Sequence, residues 1–389
     1  MRFAFTPEQE AFRQEIRDFL RHNMPPEDDG SDDGEPSEGR ASKEFSKRLA
    51  AKGWIGLAWP KEHGGKGIGY IERFVYQEEM TLGRAPMGYH QTAERQMGPS
   101  IILDGNEYQK NTYLPAIARG EMSICIGYSE PNSGSDLASL STRAVADGDD
   151  FVITGHKVWI SNAHVNDYIW LAARTNPDAP KHRGISVFLV PTDAPGVTVK
   201  PIWTMANSRL NEVFFDSVRV NRREMVGEQD RGWYVVAANL DFERSGIERV
   251  ALNLSLFEEI ARFARVTQRS GKPLLADPIV ANKLAEIAIM FQVGRRLAYR
   301  VSWLQSQGKT PNYEASVSKV FGTEISQRVA KAGMELLGQH GQVGEGSPWA
   351  RLGGRVGRTY LLSVSDTIRG GTSEVQRNIV AQRGLGMPR

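Results

Sequence analysis

The sequence predicts an α+β multidomain fold: a helical N-terminal domain, a central β domain and a helical C-terminal domain. Three observations carry that prediction. Apolar residues recur at the helical interval through roughly the first 120 residues. Short runs rich in Val, Ile, Phe and Trp then follow, each bounded by Gly, Asp or Pro. From Gly232 onward the helical interval returns and persists. A chain of 389 residues exceeds what one core comfortably fills, and the changes of period put the domains at 1–121, 122–231 and 232–389.

Thr6 can cap a helix whose first turn accommodates Pro7, and Gln9 completes a capping box. Phe12, Ile16, Phe19 and Leu20 mark one apolar face, predicting a helix over 7–22. Residues 25–40 (PPEDDGSDDGEPSEGR) are acidic, rich in Pro and Gly and without large apolar groups, so they read as a mobile surface loop. Helical patterns resume over 42–52, 70–82, 98–105 and 107–114, the last ending before Pro115. Strands are expected at 123–128, 151–154, 158–161, 167–173, 185–191, 197–202 and 211–220. Ile247, Val250, Leu254, Phe257, Ala261 and Ala264 then keep one helical face, and Leu284, Ile287, Phe291 and Leu297 keep another. Long helices recurring with short breaks argue for a bundle.

Hydrophobic residues make up 40% and charged residues 24%, the profile of a soluble globular protein. A formal net charge of +2, with no cluster of Lys and Arg, argues against a nucleic-acid partner. The single cysteine, Cys125, excludes an internal disulfide and a cysteine-built metal centre. Its setting, Ser123-Ile124-Cys125-Ile126, is that of a small buried hydrophobe. No apolar run approaches the ~20 residues needed to span a bilayer, and no apolar signal core opens the chain. A soluble, cytoplasmic protein is expected.

Asn239-Leu240-Asp241-Phe242-Glu243-Arg244-Ser245-Gly246 sets a lone carboxylate among apolar residues, at what reads as the start of a long helix. A buried glutamate is costly to desolvate without a partner or a task. Glu243 is therefore the candidate general base, removing a proton from carbon. Asp241, beside it, suits the first turn of such a helix.

Four motifs join that pattern: Tyr128-Ser129-Glu130-Pro131-Asn132-Ser133-Gly134-Ser135-Asp136; Gly155-His156-Lys157-Val158-Trp159-Ile160-Ser161-Asn162; Asp241-Phe242-Glu243-Arg244; and Ile368-Arg369-Gly370-Gly371-Thr372-Ser373-Glu374, followed by Arg377, Ile379 and Arg383. In this order they resemble the acyl-CoA dehydrogenase family of flavoproteins over nearly the whole chain. The resemblance implies a β-barrel-like central domain, a four-helix C-terminal bundle, and FAD as cofactor. It also implies that Tyr128, Ser129, Trp159 and Ser161 line the flavin ring, which needs an aromatic wall and hydrogen-bond donors. Taken alone, Trp159 reads as a core aromatic and the two serines as ordinary strand residues. By the same resemblance Ser135 sits where the flavin pyrophosphate and thioester arm approach, and Thr372 and Glu374 sit near the cofactor's phosphates or adenine. Asp241 and Arg244 match positions that contact the pantetheine arm.

Many family members carry the catalytic glutamate where this chain has Gly370; those resembling the long-chain and isovaleryl types carry it at the position of Glu243. The implied reaction is α-proton abstraction by Glu243 with hydride transfer from the β-carbon to the flavin, giving a trans-2-enoyl-CoA. The backbone N–H of Gly370 would polarise the thioester carbonyl. Electron-transfer flavoprotein is the implied acceptor. Alternatives are a subunit that mainly completes a partner's cofactor site, and an oxygen-using oxidase or monooxygenase on the same fold.

Two stretches depart from the family's pattern. Where it carries Arg-x-x-Phe-Gly, this chain has Thr267-Gln268-Arg269-Ser270-Gly271, with Arg269 or Lys272 as candidate replacements for the arginine that holds the flavin pyrophosphate. Where it carries Gln-x-x-Gly-Gly, this chain has Glu335-Leu336-Leu337-Gly338-Gln339. In the family both belong to the part of the site donated across a subunit interface, so a hetero-oligomer with a paralogue stands beside the homo-tetramer or dimer of dimers that the resemblance implies. Arg369, Glu94 and Arg95 could make the acyl pocket polar; as plain sequence they read as solvated surface charges.

Overall fold

The structure, a computed structural model, describes residues 4–25, 41–244 and 246–388; the side chains of residues 241–244, and all but the first residue of the loop predicted over 25–40, lie outside the described residues. Five helices come first: α1 (Pro7–Asn23), α2 (Lys43–Ala51), α3 (Tyr70–Leu82), α4 (Gly98–Asp104) and α5 (Glu107–Ala118). The strands are β1 (Ile124–Gly127), β2 (Arg143–Asp147), β3 (Asp150–Ile160), β4 (Tyr168–Arg174), β5 (Ile185–Pro191), β6 (Val197–Trp203), β7 (Arg209–Asn221) and β8 (Met225–Val226). Helices α6 (Gly232–Arg244), α7 (Glu248–Ala251) and α8 (Leu254–Val266) follow. A hairpin of β9 (Gln268–Arg269) and β10 (Lys272–Pro273) precedes α9 (Pro278–Ser306), α10 (Tyr313–Leu337), α11 (Arg355–Asp366) and α12 (Ser373–Ile379).

The capping box at α1 forms as read: Thr6 N donates to Gln9 Oε1 at 3.0 Å and Gln9 N donates to Thr6 Oγ1 at 3.3 Å. Helix α5 runs through Pro115 instead of stopping before it. The missing proline N–H orphans only the carbonyl of Asn111, an exposed residue that water can satisfy.

The larger correction concerns Glu243. It falls in the last turn of α6, not at the start of a helix. The apolar period continues across 232–264, but Gly246 lies outside any helix, and α7 and α8 are separate. Asp241 is likewise in a last turn, where the negative end of the helix dipole gives a carboxylate no support.

The chain separates into two compact units. One holds Met1–Asp18, Tyr70–Arg84 and Arg244–Arg389. Its core packs Ile71 and Phe74 of α3 with Val250, Leu256, Ile260, Ile287, Phe291, Ile325, Val329 and Val356. Two adjacent buried carboxylates on α3 are neutralised within the unit. Glu78 accepts from Arg13 at 2.9 Å and Arg295 at 2.8 Å, and Glu79 accepts from Arg17 at 2.7 Å.

The other unit holds Phe19–Gly69 and Ala85–Glu243. Its eight-stranded sheet runs β6-β7-β3-β2-β4-β5-β8, with β1 parallel to β4, Ile124 opposite Tyr168. Phe151, Ile153, Ile169, Leu171, Phe188, Val190, Val213 and Val218 form its buried face. Cys125 lies in this core, 2% exposed, as expected of a small hydrophobe. No helix among the described residues is long and apolar enough to cross a membrane.

Candidate active site

Strand β3 positions the first group of residues. It is one strand where two were expected, because Gly155, His156 and Lys157 interrupt the apolar pattern but not the pairing. Lys157 points inward and is fully buried. Its Nζ donates to the carbonyl of Tyr128 at 3.0 Å and to Glu130 Oε1 at 2.8 Å. Glu130 also accepts from Ser141 N at 2.7 Å, Ser141 Oγ at 2.7 Å and Thr142 N at 2.8 Å. Burial would raise this carboxyl, but the Lys157 charge and the converging donors hold it well below its usual value. Val158 N donates to the carbonyl of Ser129 at 2.9 Å, so the loop after β1 is bound to β3 on both sides of the ion pair.

Beyond Lys157 the pairing with β7 slips: Lys157 faces Val213 but Ile160 faces Asn211. The extra residue is a β-bulge, and within it Trp159 takes φ +61°. A tryptophan in the left-handed region costs of order 1–3 kcal/mol. Its ring is turned out and is 59% exposed, so it is not the core aromatic that its residue type suggests in isolation. Ser129 and Ser161 are half-buried beside it, and neither hydroxyl has a partner among the described residues. Ser135 is exposed in the same loop. An outward indole flanked by two unengaged hydroxyls fits a flat ligand with polar edges, as a flavin is.

Tyr128 is 6% exposed and turned inward. Its hydroxyl accepts from Trp170 Nε1 at 3.0 Å and donates to Asn239 Oδ1 at 3.3 Å. Asn239 Nδ2 in turn donates to Ser100 Oγ at 3.3 Å. Sequence reasoning missed Lys157, Trp170, Ser100 and Asn239; for Lys157 and Asn239 the available signal was a charge or amide at a position of apolar period, and for Trp170 and Ser100 there was none.

Glu94 also departs from expectation. It is 5% exposed, not a solvated surface charge. Residues 93–97 form a single π-helical turn, which rotates Glu94 off the phase that an α-helical reading gives it. Trp59 Nε1 donates to the carbonyl of Glu94 at 3.1 Å, and Ser100 Oγ to that of Gln96 at 3.0 Å. Arg95 is half-buried in the same turn.

In the other unit, α11 ends at Asp366 and the chain turns through Gly370 and Gly371, at φ +64° and +81°, conformations that favour glycine. Gln376 Nε2 donates to the carbonyl of Gly370 at 3.0 Å, closing the turn. The N–H of Gly370 has no acceptor among the described residues. Thr372 caps α12, accepting from Val375 N at 3.2 Å. Glu374 is exposed and titrates below its usual value, through backbone hydrogen bonding at the helix start and Thr372. Arg369 is paired with Asp366, which also accepts from Ser326 Oγ at 2.8 Å. This residue is therefore a neutralised cation and not a solvated one. Arg269 and Lys272 face each other across the β9–β10 hairpin, both exposed. Gly338 ends α10 at φ +57° and is exposed. Asp241, Glu243 and Arg244 are carried by the last turn of α6, with side chains outside the described residues.

A helical segment, a β-sheet with an outward indole in a strained bulge, and a helical segment bearing a double-glycine turn give the three-part order expected from the sequence. The N-terminal, middle and C-terminal domains of acyl-CoA dehydrogenases match residues 6–121, 125–218 and 230–385. The chain belongs to the acyl-CoA dehydrogenase family, FAD-dependent oxidoreductases acting on CH–CH groups, and has that family's three-domain fold. It is similar to the acyl-CoA dehydrogenase FadE26 of Mycobacterium tuberculosis (strain ATCC 25618 / H37Rv), 37% identical over 400 residues, covering 100% of this chain and 99% of that one. Among solved structures, the ChsE4-ChsE5 complex from Mycobacterium tuberculosis is 36% identical, with a TM-score of 0.88 and full coverage of both chains. The Tcur3481-Tcur3483 steroid ACAD is 35% identical, with a TM-score of 0.89 and full coverage of both.

Proposed function

We propose that this chain oxidises an acyl-CoA to a trans-2-enoyl-CoA with Glu243 as the base. The observation that carries the proposal is Gly370. Where many relatives bear the catalytic glutamate, this chain has a glycine at φ +64° whose N–H has no acceptor among the described residues. That leaves Glu243 as the carboxylate for the α-proton, and leaves the Gly370 N–H to donate to the thioester carbonyl and acidify that proton. Trp159, Ser129 and Ser161 would hold the flavin ring, with Thr372 and Glu374 toward its phosphates or adenine and Ser135 toward the thioester arm. FAD, when bound, supplies the acceptor for the hydride that leaves the β-carbon. Glu243 takes the α-proton, the α–β double bond forms, and Asp241 and Arg244 steady the pantetheine arm. Electrons then pass to an electron-transfer flavoprotein.

The steroid ACAD among the similar structures suggests a bulky ring-bearing acyl group. The test is anaerobic bleaching of the bound flavin by straight-chain, branched and steroid side-chain CoA thioesters, with the product identified by NMR. Bleaching by at least one, with a 2,3-trans double bond in the product, is expected; a product desaturated elsewhere overturns the reading.

A hetero-oligomer with a paralogue is proposed as the assembly. Thr267 and Ser270 replace the family's arginine and phenylalanine on the part of the flavin site that crosses a subunit interface. Tyr360, Leu361 and Val364 on α11, with Ile368 just beyond, present an exposed apolar stripe of the kind that subunits cover. Two solved structures to which the chain is similar carry paired names, the Tcur3481-Tcur3483 steroid ACAD and the ChsE4-ChsE5 complex. Full, tight flavin occupancy by this chain expressed alone would contradict this assembly.

A further inference from the structure

We infer that Asn239 is a positioning residue for the dehydrogenation, fixing the depth and rotation of α6 and hence of the base it carries. The inference rests on the assignment of Glu243 proposed above. Asn239 is 0% exposed, and a buried amide is costly unless both of its ends are satisfied. Both ends are used, and on different segments. Its Oδ1 accepts from the hydroxyl of Tyr128, just after β1, at 3.3 Å. Its Nδ2 donates to Ser100 Oγ of α4, also at 3.3 Å.

Neither neighbour is loose. The Tyr128 hydroxyl accepts from Trp170 Nε1 of β4 at 3.0 Å, and the Tyr128 carbonyl is held by Lys157 at 3.0 Å. Ser100 Oγ donates to the carbonyl of Gln96, in the π-helical turn, at 3.0 Å. The line Trp170–Tyr128–Asn239–Ser100–Gln96 thus pins one point of α6 to a strand, a loop, a helix and a π turn.

The placement of that point matters. Position 243 follows 239 by four residues, one helical turn, so turning or sliding α6 moves both together. The other buried side chains of α6 include Val235 and Val236, whose apolar contacts tolerate sliding better than directional hydrogen bonds do. Helix α6 is described to Arg244, and Gly246 lies outside any helix, so position 243 is in its last turn. Among the described residues, Asn239 is the last side chain of α6 before the base to hydrogen-bond another segment. It touches no reacting atom in this scheme; it acts through the helix.

The test follows α-proton removal apart from turnover. The FAD-loaded protein is incubated in deuterated water with a 3-thia-acyl-CoA, which can lose its α-proton but cannot complete dehydrogenation. Deuterium entering the α-position is measured against pH, alongside the thioester's Kd. Asn239→Leu keeps the volume and removes both hydrogen bonds. It should slow exchange about 10- to 100-fold, as expected for a small misplacement of a reacting group, with Kd unchanged and the pH profile altered. Ser100→Ala, which removes one bond and serves if N239L does not fold, should slow exchange less with Kd likewise unchanged. Unchanged exchange and pH profile in a folded variant would overturn the positioning role, as would parallel losses of exchange and Kd. Glu243→Gln separates the two ideas: if it exchanges at the unsubstituted rate, the base assignment itself has failed.

Discussion

Replacing Lys157 by methionine should open the loop that carries Tyr128, Ser129 and Ser135. The substitution keeps the buried stem and deletes two hydrogen bonds, to Glu130 at 2.8 Å and to the Tyr128 carbonyl at 3.0 Å. Stranding one partner of a buried ion pair costs about 3–5 kcal/mol. Three donors remain on Glu130, from Ser141 and Thr142, so the lower end of that range, about 3 kcal/mol, is expected. The chain has two compact units and no single two-state transition to read, so the assay is local. Hydrogen–deuterium exchange of peptides spanning 124–145 and 150–162 should rise about 100-fold, the equivalent of that energy. The pH dependence gives a second reading. Glu130 titrates at about 2 against a usual 4.5; burial pushes it up, and Lys157 and the donors more than offset that. A carboxylate lowered on folding stabilises above its usual value and loses that contribution as pH falls toward the folded one. Without Lys157 the folded value rises, so acid opening of K157M should begin at higher pH. Unchanged peptide protection and unchanged acid opening would refute the view that this pair holds the loop.

Other outcomes follow from the same geometry. Trp159→Gly relieves a residue at φ +61° and should stabilise the β unit by about 1 kcal/mol while weakening flavin binding about tenfold; tighter flavin binding would contradict the stacking role. His90 is 1% exposed, and burial pushes its imidazole down to about 3 from 6.5. The unfolded chain therefore takes up the proton first, and stability should fall as pH drops from 6.5 toward 3. His90→Gln should flatten that fall as read by hydrogen–deuterium exchange of the peptides around position 90, and an unaltered slope would show that another group causes it.

The helix–strand–helix order and the bounds of α3 and β5 were legible because their apolar periods are uninterrupted. Strand β2 was not, because four of the five residues in Arg143–Asp147 are exposed and leave no apolar pattern. Strand β3 spans two expected strands because Gly155, His156 and Lys157 interrupt the apolar pattern, while the Lys157 charge is buried against Glu130. The end of α6 was read as a start because its apolar period runs on into α8 past Gly246, and a π turn hid the burial of Glu94. Candidate site residues could be proposed from the sequence because the four motifs stand in the order that the family resemblance implies. The supports beneath them could not. Asn239, Ser100 and Trp170 come together only when four segments fold around α6.

On anaerobic mixing of the FAD-loaded Glu243→Gln protein with the acyl-CoA that bleaches the unsubstituted protein fastest, flavin and thioester should both stay bound and no bleaching should follow. Bleaching at the unsubstituted rate would remove Glu243 from the chemistry.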